Sequence, residues 1–118
     1  MRSVGQRILM LGETAKILKG MWTQRYTTFK GRYYTLTEAL CEPKPVQRPC
    51  MPLWVGGMGE KLTLRVVAAS ADGWNTFFMS KEHYVRELDD LAVHCEAVGR
   101  GPGEIRKSLI VEVAVGET

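Results

Sequence analysis

PLWVGGMGEKLTLRVVAASADGWN, residues 52–75, decides the fold. Leu53-Trp54-Val55 is a short apolar run between Pro52 and Gly56, the pattern of a strand buried on both faces of a parallel sheet. The glycine-rich turn Gly56-Gly57-Met58-Gly59 follows at once. Leu62, Val66, Val67 and Ala69 then form a helical stripe that ends at Asp72-Gly73, and Trp74-Asn75-Thr76-Phe77 resumes as a strand. Strand, turn, helix and strand make one α/β unit with parallel strands, whose crossover is expected to be right-handed.

Downstream, Ser80 is placed to cap a second helix, with Glu82 in its first turn and Tyr84, Leu88, Leu91, Cys95 and Val98 on one face. Gly99 stops it, Gly101-Pro102-Gly103 makes a loop, and Leu109–Val115 after Ile105 reads as a third strand. Upstream, Val4, Ile8, Leu11, Ala15, Leu18 and Trp22 recur at helical steps, and Ser3 with Gln6 fits a capping box. Thr27–Phe29 and Arg32–Leu36 around Lys30-Gly31 suggest a small hairpin. From Glu42 to Pro52, four prolines forbid helix and imply an extended connector. Residues 24–52 are thus an excursion within one partial domain spanning 1–118.

The fold class expected from this alternation is α/β, with parallel strands alternating with helices plus a small hairpin; the resemblance described below makes it a partial TIM barrel. Three strands do not close a barrel, and their open edges call for more barrel or a second copy to cover them. A homo-oligomer or completion by further sequence is therefore expected, which the resemblance described below makes the missing barrel half.

Composition excludes some functions. A chain of 118 residues with 45% hydrophobic content suits a soluble globular domain, and a net charge of +3 is dispersed without a basic run suited to nucleic acid. No stretch approaches the roughly 18 apolar residues of a membrane span, and the first residues lack a signal core, so a cytoplasmic location is expected. Cys41, Cys50 and Cys95 lack zinc-ligand spacing and read as reduced thiols. No metal site is expected. His83 and His94 carry no assigned role, and Arg86, Glu87, Asp89 and Asp90 read as a solvated helix face. Lys44, Arg48 and Lys61 can assist an anionic cofactor tail, although scattered basic residues usually serve solubility.

The glycine turn is the strongest candidate site. It lies between a strand end and a helix start, where backbone N–H groups and the helix dipole favour an anion. Its spacing is neither a P-loop nor a dinucleotide fingerprint, and from spacing alone a plain tight turn and a phosphate site both stand. Trp74, Asn75 and Thr76 lie toward the C-terminal end of the next strand, where they line a pocket or, for Trp74, pack in the core.

The segments WTQRYTTFKGRYYTL (22–36), CEPKPVQRP (41–49), 52–75 and HCEAVGRGPGEI (94–105) together resemble the C-terminal half of luciferase-like oxidoreductases, most of all the coenzyme F420-dependent branch. The resemblance covers essentially the whole chain. It implies a TIM barrel of roughly 250 residues or more, of which this chain would be less than half. It implies hydride transfer between F420, or alternatively FMN, and an organic substrate, the cofactor supplying the reactivity. By that similarity Gly56, Gly57, Met58 and Gly59, with Glu60 opening the helix, hold the cofactor phosphate and ribityl end, and Trp74 and Asn75 line the same pocket. Met58 stands where the family often has a small residue, and its side chain narrows the site. The resemblance identifies no catalytic residue here, since those belong to the other half. The competing reading is a non-enzymatic half-barrel that binds a phosphate-bearing ligand or self-associates.

Overall fold

Helix α1, Val4–Thr23, begins with the expected capping box: the Gln6 amide donates to Ser3 Oγ (3.2 Å) and the Ser3 amide to Gln6 Oε1 (2.9 Å). The computed structural model describes residues 1–58 and 61–116, and contacts divide the chain into two units, Met1–Leu53 and Trp54–Thr118.

In the first unit α1 packs on an antiparallel hairpin of β1 (Tyr26–Lys30) and β2 (Thr35–Leu40). Gly20 permits the approach, since a Cβ there would sit 3.0 Å from Thr27 Cγ2. The ladder shifts register between Thr27 and Phe29, and Glu38 takes φ 45° there, its amide donating to Thr28 Oγ1 (3.1 Å). The expected second strand began at Arg32, but Arg32, Tyr33 and Tyr34 belong to the turn. Glu13 on α1 is the cause: its carboxylate accepts the amides of Arg32 (2.6 Å), Tyr33 (3.0 Å) and Tyr34 (3.0 Å). A residue whose N–H serves a carboxylate is not available to a ladder. The proline connector follows without regular structure, with cis bonds at Glu42–Pro43 and Arg48–Pro49.

The second unit alternates β3 (Trp54–Gly56), α2 (Lys61–Ser70), β4 (Gly73–Phe77), α3 (Lys81–Ala97), a 3-10 turn (Pro102–Glu104) and β5 (Arg106–Ile110). The strands lie in chain order β3-β4-β5 and all pair in parallel. Side chains alternate across the sheet. Val55, Trp74 and Thr76 are buried on one face, where Trp74 stacks on Tyr84 of α3, with centroids 6.1 Å apart and planes 8° apart. Leu64, Val67, Ala68, Ala71, Leu91, Cys95 and Ile105 complete that core, each worth up to about 1.5–3 kcal/mol for the larger aliphatics. Trp54, Gly56, Gly73, Asn75, Phe77, Ser108 and Ile110 share the other face. Arg100 closes the C-terminus of α2, donating to the carbonyls of Ala68 and Ala71 (2.9 Å each).

Three further sequence expectations change in the second unit. The buried stripe of α2 is Thr63, Leu64, Val67, Ala68 and Ser70, while Leu62 and Ala69 face outward. The expected stripe left out Leu64 and the small or hydroxyl residues Thr63, Ala68 and Ser70, and so lay rotated from the buried face. Glu87 is buried rather than solvated, because it falls on the inward face of α3 with Leu91 and Cys95. The third strand is Arg106–Ile110 rather than Leu109–Val115. Pairing runs from Gly73↔Arg106 to Phe77↔Ile110, so the ladder stops where β4 stops, and Val111, Val113 and Val115 are exposed.

Two outcomes test these contacts. A Cβ at Gly73 would run into the ring of Trp54, so Gly73→Ala is expected to destabilise the chain by about 1–3 kcal/mol in urea unfolding. The Glu13 carboxyl is pushed up by desolvation, but the amides of Tyr33, Arg32 and Tyr34 together with Lys16 outweigh this and hold it below its ordinary value. A depressed carboxyl stabilises above its unfolded pKa and loses that contribution as pH falls through the folded value. The protection of the Arg32–Tyr34 amides against exchange, relative to their intrinsic rates, is therefore expected to be high at neutral pH and to fall on acidification, and Glu13→Gln should lower it already at pH 7.

Candidate functional site

The glycine turn leaves β3 at the C-terminal edge of the parallel sheet, the edge at which α/β proteins build their sites. Gly57 has φ +153°, outside the range that L residues adopt readily. Its amide donates to the Asn75 carbonyl (3.0 Å), one step beyond the β3–β4 ladder. Its carbonyl accepts the indole N–H of Trp74 (3.1 Å). Both polar backbone groups of Gly57 are thus used in aiming the chain. At Gly56 there is room, the nearest atom to an added Cβ being the Asn75 carbonyl oxygen at 3.9 Å. Met58 is exposed. Gly59 and Glu60 lie outside the described residues. Helix α2 opens at Lys61 with no acidic residue in its first turn, so no carboxylate within the helix offsets the positive end of its dipole.

The residues expected around the turn separate by face. Trp74 is fully buried among the helices and reaches the turn only through its indole N–H. Thr76 is also fully buried on that side. Asn75 lies on the opposite face, where its Nδ2 donates to Ser108 Oγ on β5 (2.7 Å). Above that pair, the C-terminal ends of β4 and β5 frame an open groove of about 420 Å³ lined by Phe77, Phe78, Ile110, Val111 and Glu112. Sequence reasoning missed Ser108 and this groove, because the misplaced third strand hid which residues oppose Asn75 and Phe77.

Other titratable groups lie elsewhere. His83 on α3 is capped through its amide by Ser80 Oγ (3.2 Å), and its Nε2 lies 3.2 Å from Glu87 Oε1. Glu87 Oε2 is buried and makes no hydrogen bond among the described residues. Burial pushes the Cys95 thiol up; Arg100 and Lys107 pull it down and Glu104 adds to the rise, leaving it raised and poorly nucleophilic at neutral pH. Among the described residues no group of three or more His, Cys, Asp or Glu is placed to hold a metal, and no helix is long and apolar enough to cross a membrane.

Comparison with known proteins bears on this geometry. The sequence profile described as luciferase-like monooxygenase matches residues 3–118. An FMNH2-dependent dimethylsulfone monooxygenase of Pseudomonas putida is 32% identical over 88 residues, 74% of this chain and 24% of that protein. An F420-dependent glucose-6-phosphate dehydrogenase of Kineococcus radiotolerans is 27% identical over 114 residues, 95% of this chain and 33% of that protein. A solved structure of an F420-dependent secondary alcohol dehydrogenase, in complex with an F420-acetone adduct, superposes with a TM-score of 0.81 at 23% identity, over 92% of this chain and 33% of that one. The chain thus spans about a quarter to a third of the curated relatives it matches. The parallel sheet, its helices and the hairpin are a section of such a TIM barrel. With a profile match over nearly its whole length and the matching fold, the chain belongs to the luciferase-like monooxygenase family.

Proposed function

We propose that this chain is the phosphate-holding section of an oxidoreductase that transfers a hydride between F420, or alternatively FMN, and a small organic substrate. The observation that carries the reading is the turn at Gly57, which ends a parallel strand at φ +153° and delivers the chain to the N-terminus of α2. Such a terminus presents unpaired amides and a positive dipole end to an anion. Lys61 adds a cation beside it. The residues present therefore fit a phosphate. Gly56 gives the approach room, Gly57 turns the chain, and the amides of Met58 and Lys61 would supply donors; Gly59 and Glu60, given the same role by resemblance, lie outside the described residues. Asn75 would contact the ribityl end, and Trp74 braces the turn from the core side through its indole N–H. The bound cofactor would supply the redox chemistry, while these residues bind and orient it. Relatives named for F420 and for FMNH2 support the cofactor class.

Exposure of Trp54, Phe77 and Ile110 on the second sheet face supports a companion reading, in which further barrel strands or a second copy of the chain cover that face.

The test is a fluorescence titration of the chain with F420, FMN and riboflavin, which lacks the phosphate. Saturable binding of F420 or FMN is expected, at least about tenfold tighter than riboflavin, the scale of one or two charge-assisted hydrogen bonds. Gly57→Ala should abolish that preference, whereas Gly103→Ala, outside the turn and with nothing within 4 Å of an added Cβ, should keep it. Lys61→Ala should weaken FMN but not riboflavin, and circular dichroism should show every variant folded. Riboflavin binding as tightly as FMN, or no binding by the folded chain, would overturn the proposal.

A further inference from the structure

We infer that Ser108 on β5 is a positioning residue, whose hydroxyl holds the Asn75 carboxamide in the orientation that receives the ribityl hydroxyls of the cofactor; this rests on the phosphate-turn reading above. Asn75 and Ser108 stand opposite one another in the parallel β4–β5 ladder, both half-buried, and Asn75 Nδ2 donates to Ser108 Oγ (2.7 Å). The χ2 torsion of asparagine is broad and roughly two-fold, so a carboxamide on a strand face has no fixed orientation of its own. Ser108 supplies one. The main chain of the same residue is held as well, since the Asn75 carbonyl accepts the Gly57 amide (3.0 Å). Backbone and side chain of Asn75 are thus both fixed relative to the glycine turn.

The layers of this sheet face place the pair beside the turn. Trp54 and Gly73 are paired in the first layer, where the indole ring fills the space that a Cβ on the glycine would take. In the next layer Gly56, Asn75 and Ser108 are in register across the three strands. Gly56 carries no side chain, and an added Cβ would find nothing closer than the Asn75 carbonyl oxygen at 3.9 Å. Asn75 therefore borders a gap on its β3 side and a hydrogen-bond partner on its β5 side. That gap immediately precedes Gly57, so a polyol chain joined to a phosphate at the turn would run over Gly56 and along Asn75. F420 and FMN both carry such a ribityl chain next to the phosphate. A carboxamide offers two N–H groups and an acceptor oxygen, and the bond to Ser108 draws on one N–H alone. The remaining groups complement hydroxyls, which both donate and accept.

The experiment titrates the nitrogen-labelled full chain with FMN, riboflavin and lumiflavin, which has a methyl group in place of the ribityl chain. Riboflavin is expected to bind about three- to tenfold tighter than lumiflavin, the scale of one or two neutral hydrogen bonds. It should also shift the side-chain NH2 signals of Asn75, which lumiflavin should leave in place. Ser108→Ala should bring riboflavin to within about twofold of lumiflavin while the ratio of FMN to riboflavin affinity stays as it was. Ser108→Thr, which keeps a hydroxyl, should restore the gap. In an Asn75→Ala background, Ser108→Ala should have no further effect, because the serine acts through the asparagine. Weakening of all three ligands alike in Ser108→Ala is what a merely structural serine would give, and it would overturn the inference. So would a gap between riboflavin and lumiflavin that ignores Ser108→Ala, or Asn75 signals that ignore riboflavin. The two readings separate in the same titrations. If FMN is preferred to riboflavin but the gap is indifferent to Ser108, the positioning role falls alone. If riboflavin binds as tightly as FMN but the gap depends on Ser108, the phosphate-turn reading falls and the Asn75–Ser108 pair stands as a ribityl site. No binding of any flavin by the folded chain would overturn both.

Discussion

Both polar backbone groups of Gly57 are committed, the amide to the Asn75 carbonyl and the carbonyl to the Trp74 indole, and the second unit is arranged around that commitment. The residue reaches φ +153° only because it has no Cβ. Trp74 can serve it only because the same side chain is buried and stacked on Tyr84, so the α3 packing positions the turn from behind. Asn75 contributes its carbonyl to Gly57 and its side chain to Ser108, which links the turn to the third strand. Core packing on one face of the sheet and the candidate site at its C-terminal edge are therefore parts of one network.

That division of faces assigns the roles. Val55, Trp74 and Thr76, which alternate toward the helices, are fixed by packing. Those that alternate away from them, Asn75, Phe77, Ser108 and Ile110, are partly or largely exposed and free to meet a ligand. Both faces meet on β4, the central strand, which has a hydrogen-bonded neighbour on each side.

Much of this was legible in the chain itself. Period and punctuation reveal α1, its capping box, the hairpin, the glycine turn and the alternation of strands with helices, because each depends on residues close in sequence. What stayed hidden depends on distant partners or on size. Glu13 reshapes a turn 19–21 residues away, which no local pattern announces. The end of β5 is set by the length of β4 rather than by the β propensity of Val111–Val115. Glu87 looks solvated beside Arg86, Asp89 and Asp90, yet helical geometry places it inward. At the candidate site the glycines were conspicuous, whereas the groove required knowing which residues of β4 and β5 stand opposite one another.

Arg100 joins the loop after α3 to the last turn of α2 through carbonyls 29 and 32 residues earlier. Closing a loop of that length costs chain entropy before any contact rewards it. In the folded unit the arginine bonds tether the loop from which β5 enters the sheet. Local opening of β5 and fraying of the α2 C-terminus become coupled events, so the unit should open as one cooperative block rather than strand by strand.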